Sequence, residues 1–110
     1  MKLYEPAAIA RDAVAANPTR PAMALAHDHD DGRLVIFRLA PGQAVPSHTS
    51  ASSVFLSVAA GRGFIAGPAG EVPVQAGTIA AFEPHELHGM RAEAEELIIA
   101  ALITPRPGTR

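Results

Sequence analysis

Turn signals recur along almost the whole of this chain, and the apolar runs between them are short. Asp31-Gly32, Pro41-Gly42, Gly61 to Gly63 and the cluster Gly67-Pro68-Ala69-Gly70 punctuate the runs Ala22–Ala26, Arg33–Leu39, Val54–Val58 and Phe64–Ala66. Val72–Val74, Thr78–Phe82 and Leu97–Ile103 complete the series. Glycine takes the positive φ that many turns need, and proline lacks the N–H that a helix interior or central strand requires. Asp-Gly between two apolar runs is a hairpin signal. Punctuation at this spacing predicts an all-β chain of roughly eight to ten short strands, closed as a sandwich or barrel. Long helical bundles are excluded. The one helical pattern spans 6–16, where Pro6 suits the first turn, Ile9 and Val14 share an apolar stripe, and Asn17-Pro18 ends the pattern.

At 110 residues the chain makes one domain. Hydrophobic residues are 48% of it, but 23 of them are Ala, so the core is thin. A thin core with exposed sheet edges predicts a homodimer. Cysteine is absent, which excludes disulfides, thiolate nucleophiles, Cys-type zinc sites and iron–sulfur clusters. Nine basic and eleven acidic residues give a net charge of −2 without a basic run, so nucleic acid is not an expected partner. Leu97–Ile103, the longest strongly apolar stretch, is far short of a membrane span, and Met1–Pro6 has no apolar segment of signal-peptide length. A cytoplasmic bacterial protein is the expected setting.

With Cys gone, the five His are the side chains best suited to hold a transition metal. His27-Asp28-His29-Asp30-Asp31 precedes Gly32 in a predicted hairpin, where Asp is favoured for backbone reasons, and it reads as a solvated turn. Two other signals fall away. Gly61-Arg62-Gly63-Phe64-Ile65-Ala66 matches the loose dinucleotide fingerprint, but Gly67-Pro68 forbids the helix that the fingerprint needs. Gly61 and Gly63 therefore read as a hairpin turn. The serines near His48 lack a nucleophile elbow and a third group to orient the His.

Gly42-Gln43-Ala44-Val45-Pro46-Ser47-His48, followed by Gly61, resembles the first motif of the cupin family. Fifteen residues separate Gly61 from Gly77, which opens a stretch ending Pro84-His85-Glu86-Leu87-His88-Gly89 that resembles the second. The resemblance covers residues 22–104. It implies a small cupin β-barrel or jelly roll of two antiparallel sheets. The flanking pattern of the chain adds a short helical arm at 1–21 and a loose tail at 105–110. Pairing of two copies is implied as well.

The departures bear on function. Metal-bearing cupins take two His and a Glu from the first motif and one His from the second. Here the second His position holds Ser50 and the Glu position Val54, so His48 and His88 are the two expected ligands that remain. A catalytic metal usually has three protein ligands. His85 is the first candidate third ligand for one divalent zinc, iron, manganese or nickel ion, Glu83 and Glu86 are others, and a site with no metal is the alternative. The resemblance thus implies a pocket for a small molecule, contacted by His48, Ser50, His88 and Phe55. Phe37, Phe64 and Phe82 are further candidates for its walls. A metal-dependent dioxygenase, isomerase or lyase is one alternative function, and a non-catalytic sensor or interaction module is another.

Overall fold

The computed structural model describes residues 1–108. Its elements are α1 (Pro6–Asp12), β1 (Ala22–His29), β2 (Gly32–Leu39), β3 (Ala44–His48), β4 (Ser53–Gly67), β5 (Gly70–Gln75), β6 (Ile79–Phe82) and β7 (His88–Thr104). All pairings are antiparallel, in the order β1-β2-β7-β4-β5, with β3 added to β7 and β6 to β4.

Two long strands organise the barrel. β4 has 15 residues and β7 has 17, and they pair along most of their length. Ser53–Val58 of β4 runs between Leu97–Thr104 of β7 and the short β6, and that part of β7 also pairs with β2. Gly63–Gly67 runs between Gly89–Ala92 of β7 and β5, and β3 extends this second section. The two sections face each other. Val54, Leu56 and Val58 from one and Ile65, Val74 and Met90 from the other share one buried cluster.

The corner between the sections lies at Gly61–Gly63, where the register slips. Leu97 pairs with Gly61 and Ala92 with Gly63, which leaves Glu93–Glu96 of β7 as an exposed outward bulge. This revises the strand count to seven among the described residues and removes the expected hairpin turn at Gly61–Gly63. Those glycines bend a strand rather than end it. The charged stretch Arg91–Glu96 likewise concealed the first half of β7.

The helix is shorter than the 6–16 pattern. It ends at Asp12, because Ala13 is extended and its carbonyl accepts a hydrogen bond from Arg38 Nη2 at 3.0 Å. Val14 is consequently exposed rather than part of an apolar stripe. Ala10 is fully buried against Ile36 and Ile98, outside the barrel cluster, so α1 covers an outer face of the sheet. Leu97, Ile98 and Ile99 at the centre of β7 are at most 1% exposed, and burying each contributes on the order of 2 kcal/mol.

The 27–31 cluster also differs from its expectation. His27–His29 belong to β1, and only Asp30 and Asp31 form the turn. Tyr4 Oη lies 3.0 Å from His27 Nδ1, which ties the N-terminal arm to β1. The expected loose tail is tied down as far as Arg106, since Thr104, Pro105 and Arg106 all bond back to the barrel. Thr109 and Arg110 lie outside the described residues.

Two carboxylates are held by arginines. Hydrogen bonds from Arg91, at 2.7 and 3.0 Å, hold the Glu71 carboxyl below its ordinary value. Partial burial pushes Asp28 up, but hydrogen bonds and charge from Arg33 and Arg106 outweigh it and bring it below as well. Carboxyls depressed in the folded state bind protons more readily once unfolded. Their contribution is therefore present above about pH 4 and is lost as pH falls through the lower, folded-state values. The melting temperature is expected to fall in that range, and D28N/E71Q is expected to flatten the fall while melting lower at neutral pH. An equally steep acid limb in the double variant contradicts this account.

Candidate functional site

His48 ends β3 and His88 begins β7, and the antiparallel register makes them direct partners. Cross-strand partners share a face, and the two ring centroids are 4.4 Å apart at an interplanar angle of 61°. His88 is 4% exposed and lies 5.2 Å from the Phe82 ring, whereas His48 is exposed. The pair thus runs from rim to interior. Gly89 permits this approach, because a Cβ there would meet Ser47 Oγ at 2.8 Å and the Ser47 backbone nitrogen at 2.9 Å.

Both rings have the same local anchor. His48 Nδ1 is 3.0 Å from the Pro46 carbonyl oxygen, and His88 Nδ1 is 2.9 Å from that of Glu86. A carbonyl only accepts, so each Nδ1 must carry the proton in these bonds. In the neutral rings Nε2 is then the lone-pair atom, and it is an acceptor.

The rings line a cavity of about 240 Å³. Its other walls include Phe37, Val45, Val54, Leu56, Met90 and Ala101 from the strands, Thr49 and Ser50 from the β3–β4 loop, and Pro107 from the tail. Among the described residues no Asp, Glu, Lys or Arg lines it. A wider groove of about 510 Å³ at the barrel corner is bordered by Arg62, Gln75, Glu93 and Glu95 and contains no His.

Of the residues singled out from sequence, His48, Ser50 and His88 come together here. Phe55 does not. Alternation along β4 turns Val54 and Leu56 inward, and Phe55 points outward beside its partner Leu102, with 38% of its surface exposed. Phe37 lines the cavity, and Phe82 packs in the core against His88, whereas Phe64 lies under the Arg91 guanidinium at 4.1 Å. His85 is exposed at a left-handed φ of 70°, and its backbone N–H donates to the Ser50 carbonyl at 2.6 Å. Its side chain does not join the other two: among the described residues no group of three or more His, Asp or Glu is placed to hold a metal ion. The sequence reading missed Pro107, for which the turn-rich tail offered no periodic signal.

No protein-family model and no functionally curated sequence matches this chain. Solved structures do. The TT1209 protein of Thermus thermophilus superposes with a TM-score of 0.84 at 20% identity, over 97% of this chain and all of that one (100%). A Klebsiella pneumoniae protein described as having a double-stranded β-helix domain gives 0.82 at 20% identity, over 96% of this chain and 90% of its own. An RmlC-like cupin of Desulfovibrio desulfuricans gives 0.76 at 24% identity, over 86% and 92%. The chain has the cupin fold. Similarly folded structures also include enzymes, among them a predicted oxalate decarboxylase and a DMSP lyase.

Within this cupin barrel, Ser50 and Val54 occupy cavity-lining positions where the family pattern has His and Glu. The polar groups present are two imidazoles and two hydroxyls, with no carboxylate. That set does not fit a catalytic metal centre, which needs three protein ligands and an open position.

Proposed function

We propose that this cupin binds a small, largely apolar molecule that offers an O–H or N–H donor to the Nε2 atoms of His48 and His88. The observation that carries the reading is the shared anchor of the two rings. Each Nδ1 is committed to a backbone carbonyl, so each ring keeps its lone pair for whatever enters the cavity. The walls are otherwise apolar, and the volume lies below the roughly 300–1,000 Å³ of drug-sized sites, which favours a compact ligand such as an alcohol, phenol or N–H heterocycle. Thr49 and Ser50 supply hydroxyls for a second polar contact. The donor set supports a binding or sensing role over a metal-dependent oxygenase, isomerase or lyase.

A thermal-shift screen of small alcohols, phenols and azoles, run beside zinc, manganese, iron and nickel salts, tests this. Organic donors are expected to raise the melting temperature more than any metal. His88→Ala is expected to weaken the best of them about tenfold, the upper end for one lost hydrogen bond. A full equivalent of metal retained through dialysis, or no organic hit that depends on His48 or His88, overturns it.

A further inference from the structure

We infer that Pro107 is the size-determining residue of the cavity, and that the Arg106–Asp28 pair is the latch that holds it in place. The inference rests on the cavity being a ligand site, as proposed above. Beyond β7 the chain does not leave the barrel. Thr104 Oγ1 donates to the Asp31 carbonyl at 3.0 Å, Ser52 Oγ donates to the Pro105 carbonyl at 2.7 Å, and the Arg106 N–H reaches the Asp30 carbonyl at 3.4 Å. Ser52 is only 5% exposed, so the second tie is an inside one. The Arg106 guanidinium then closes on Asp28: Nη2 donates to Oδ2 at 3.2 Å, and Nε stands 2.7 Å from Oδ1. Arg33 Nε also donates to Asp28 Oδ1, at 3.2 Å.

One residue after this latch, Pro107 forms a wall of the cavity. The other walls are strand residues or the short Thr49-Ser50 loop, whose positions are set within the barrel. Ladder-bound walls yield little to a larger ligand. Pro107 lies beyond the strand ladder and is held through the bonds of the strap, which can part without opening a strand pair, and such local openings cost less than opening the core. Proline's fixed φ makes the wall stiff while the strap is closed. The size limit and the exchange rate of a ligand are thereby set at 104–107. This also gives a role to the 27–31 cluster, where Asp28, Asp30 and Asp31 form the docking side for the strap.

The absence of Cys allows a test that needs no ligand. Ala101→Cys places a single thiol on the cavity wall, and its reaction rate with a small neutral maleimide reports access. In that background R106Q and D28N are each expected to raise the rate about tenfold, with the double variant no faster than either, because both break one latch. R106K, which keeps the charge but not the two-point contact, is expected to fall between the parent and R106Q. P107A, which keeps the latch, is expected to raise the rate for a bulkier maleimide more than for the small one. R91Q serves as control, since it breaks a comparable ion pair with Glu71 away from the cavity. Should R106Q fail to fold, D28N decides. Rates for D28N within about twofold of the parent, or an equal rise in R91Q, overturn the latch. The expected rates combined with no organic ligand for any variant leave the strap standing and remove the ligand reading alone.

Discussion

Gly61→Val is expected to yield no folded protein. Gly61 sits at the barrel corner with φ at 81°, and a Cβ there would run into the carbonyl oxygen of Glu96 on β7. Nothing nearby can give way. The clashing atom is backbone, and Leu97, the next residue, is fully buried and paired with Gly61 itself. The substitution therefore combines a left-handed conformation that a β-branched residue avoids with a clash that parts the two longest strands. A cost above about 4 kcal/mol follows, which approaches the whole stability of a domain at the lower end of the usual range of roughly 5–15 kcal/mol. Gly63→Val is expected to behave alike, since its Cβ would meet the Arg91 carbonyl and stand 2.8 Å from Leu97 Cδ2. Gly42→Ala is the contrasting case. Its φ is 83°, but nothing lies within 4 Å of the added carbon, so about 1–2 kcal/mol is expected. Urea unfolding followed by circular dichroism measures all three. A cooperative unfolding transition for Gly61→Val close to that of Gly42→Ala refutes this account of the corner.

Ser50→His with Val54→Glu is expected to turn the cavity into a metal site. Both positions line the same cavity as His48 and His88, so the double variant would present three imidazoles and a carboxylate to one space. That meets the ligand count of a catalytic centre. Val54 is 3% exposed, so the unmetallated variant carries a buried carboxylate and is expected to lose about 3 kcal/mol. Zinc at a hundred times its dissociation constant returns about 2.7 kcal/mol by mass action. Gel filtration followed by elemental analysis is expected to find about one equivalent of zinc on the double variant and under about a tenth on the parent, because two ligands do not hold the ion. Equal, high retention by both proteins defeats the reading of the native site as short of ligands. Low retention by both shows that the side chains do not converge as their shared cavity implies.

These two expectations draw on different kinds of information. Ser50 and Val54 were recognisable from sequence because the resemblance to the first cupin motif marks them as the positions where metal-bearing members have His and Glu. The His48 and His88 pair was legible for the same reason, although forty residues separate them. Gly61 carries a turn signal in sequence but bends a strand in the structure, since a bend inside a long strand and a hairpin turn make the same local demand on φ. Phe55 was misplaced by a single step of strand alternation, and one step reverses the face. The helix stops short of its sequence pattern because its end depends on Arg38, which lies 25 residues on from the carbonyl it captures.

Local chemistry set the all-β class, the places where the chain turns and the absence of thiol chemistry, while the expectation that His48 and His88 share a barrel came from the resemblance to the cupin motifs. The first three follow from φ preferences, side-chain type or spacing, which are properties of short stretches. Only the tertiary structure decided that two long strands bend at a glycine corner, that Phe55 faces outward, that His85 stands apart, and that the tail closes the cavity through Pro107. Those outcomes rest on contacts such as Arg106 to Asp28, 78 residues apart, and Ser52 to Pro105, 53 apart. No local pattern encodes such pairs, because their energy exists only once the barrel has brought both partners together.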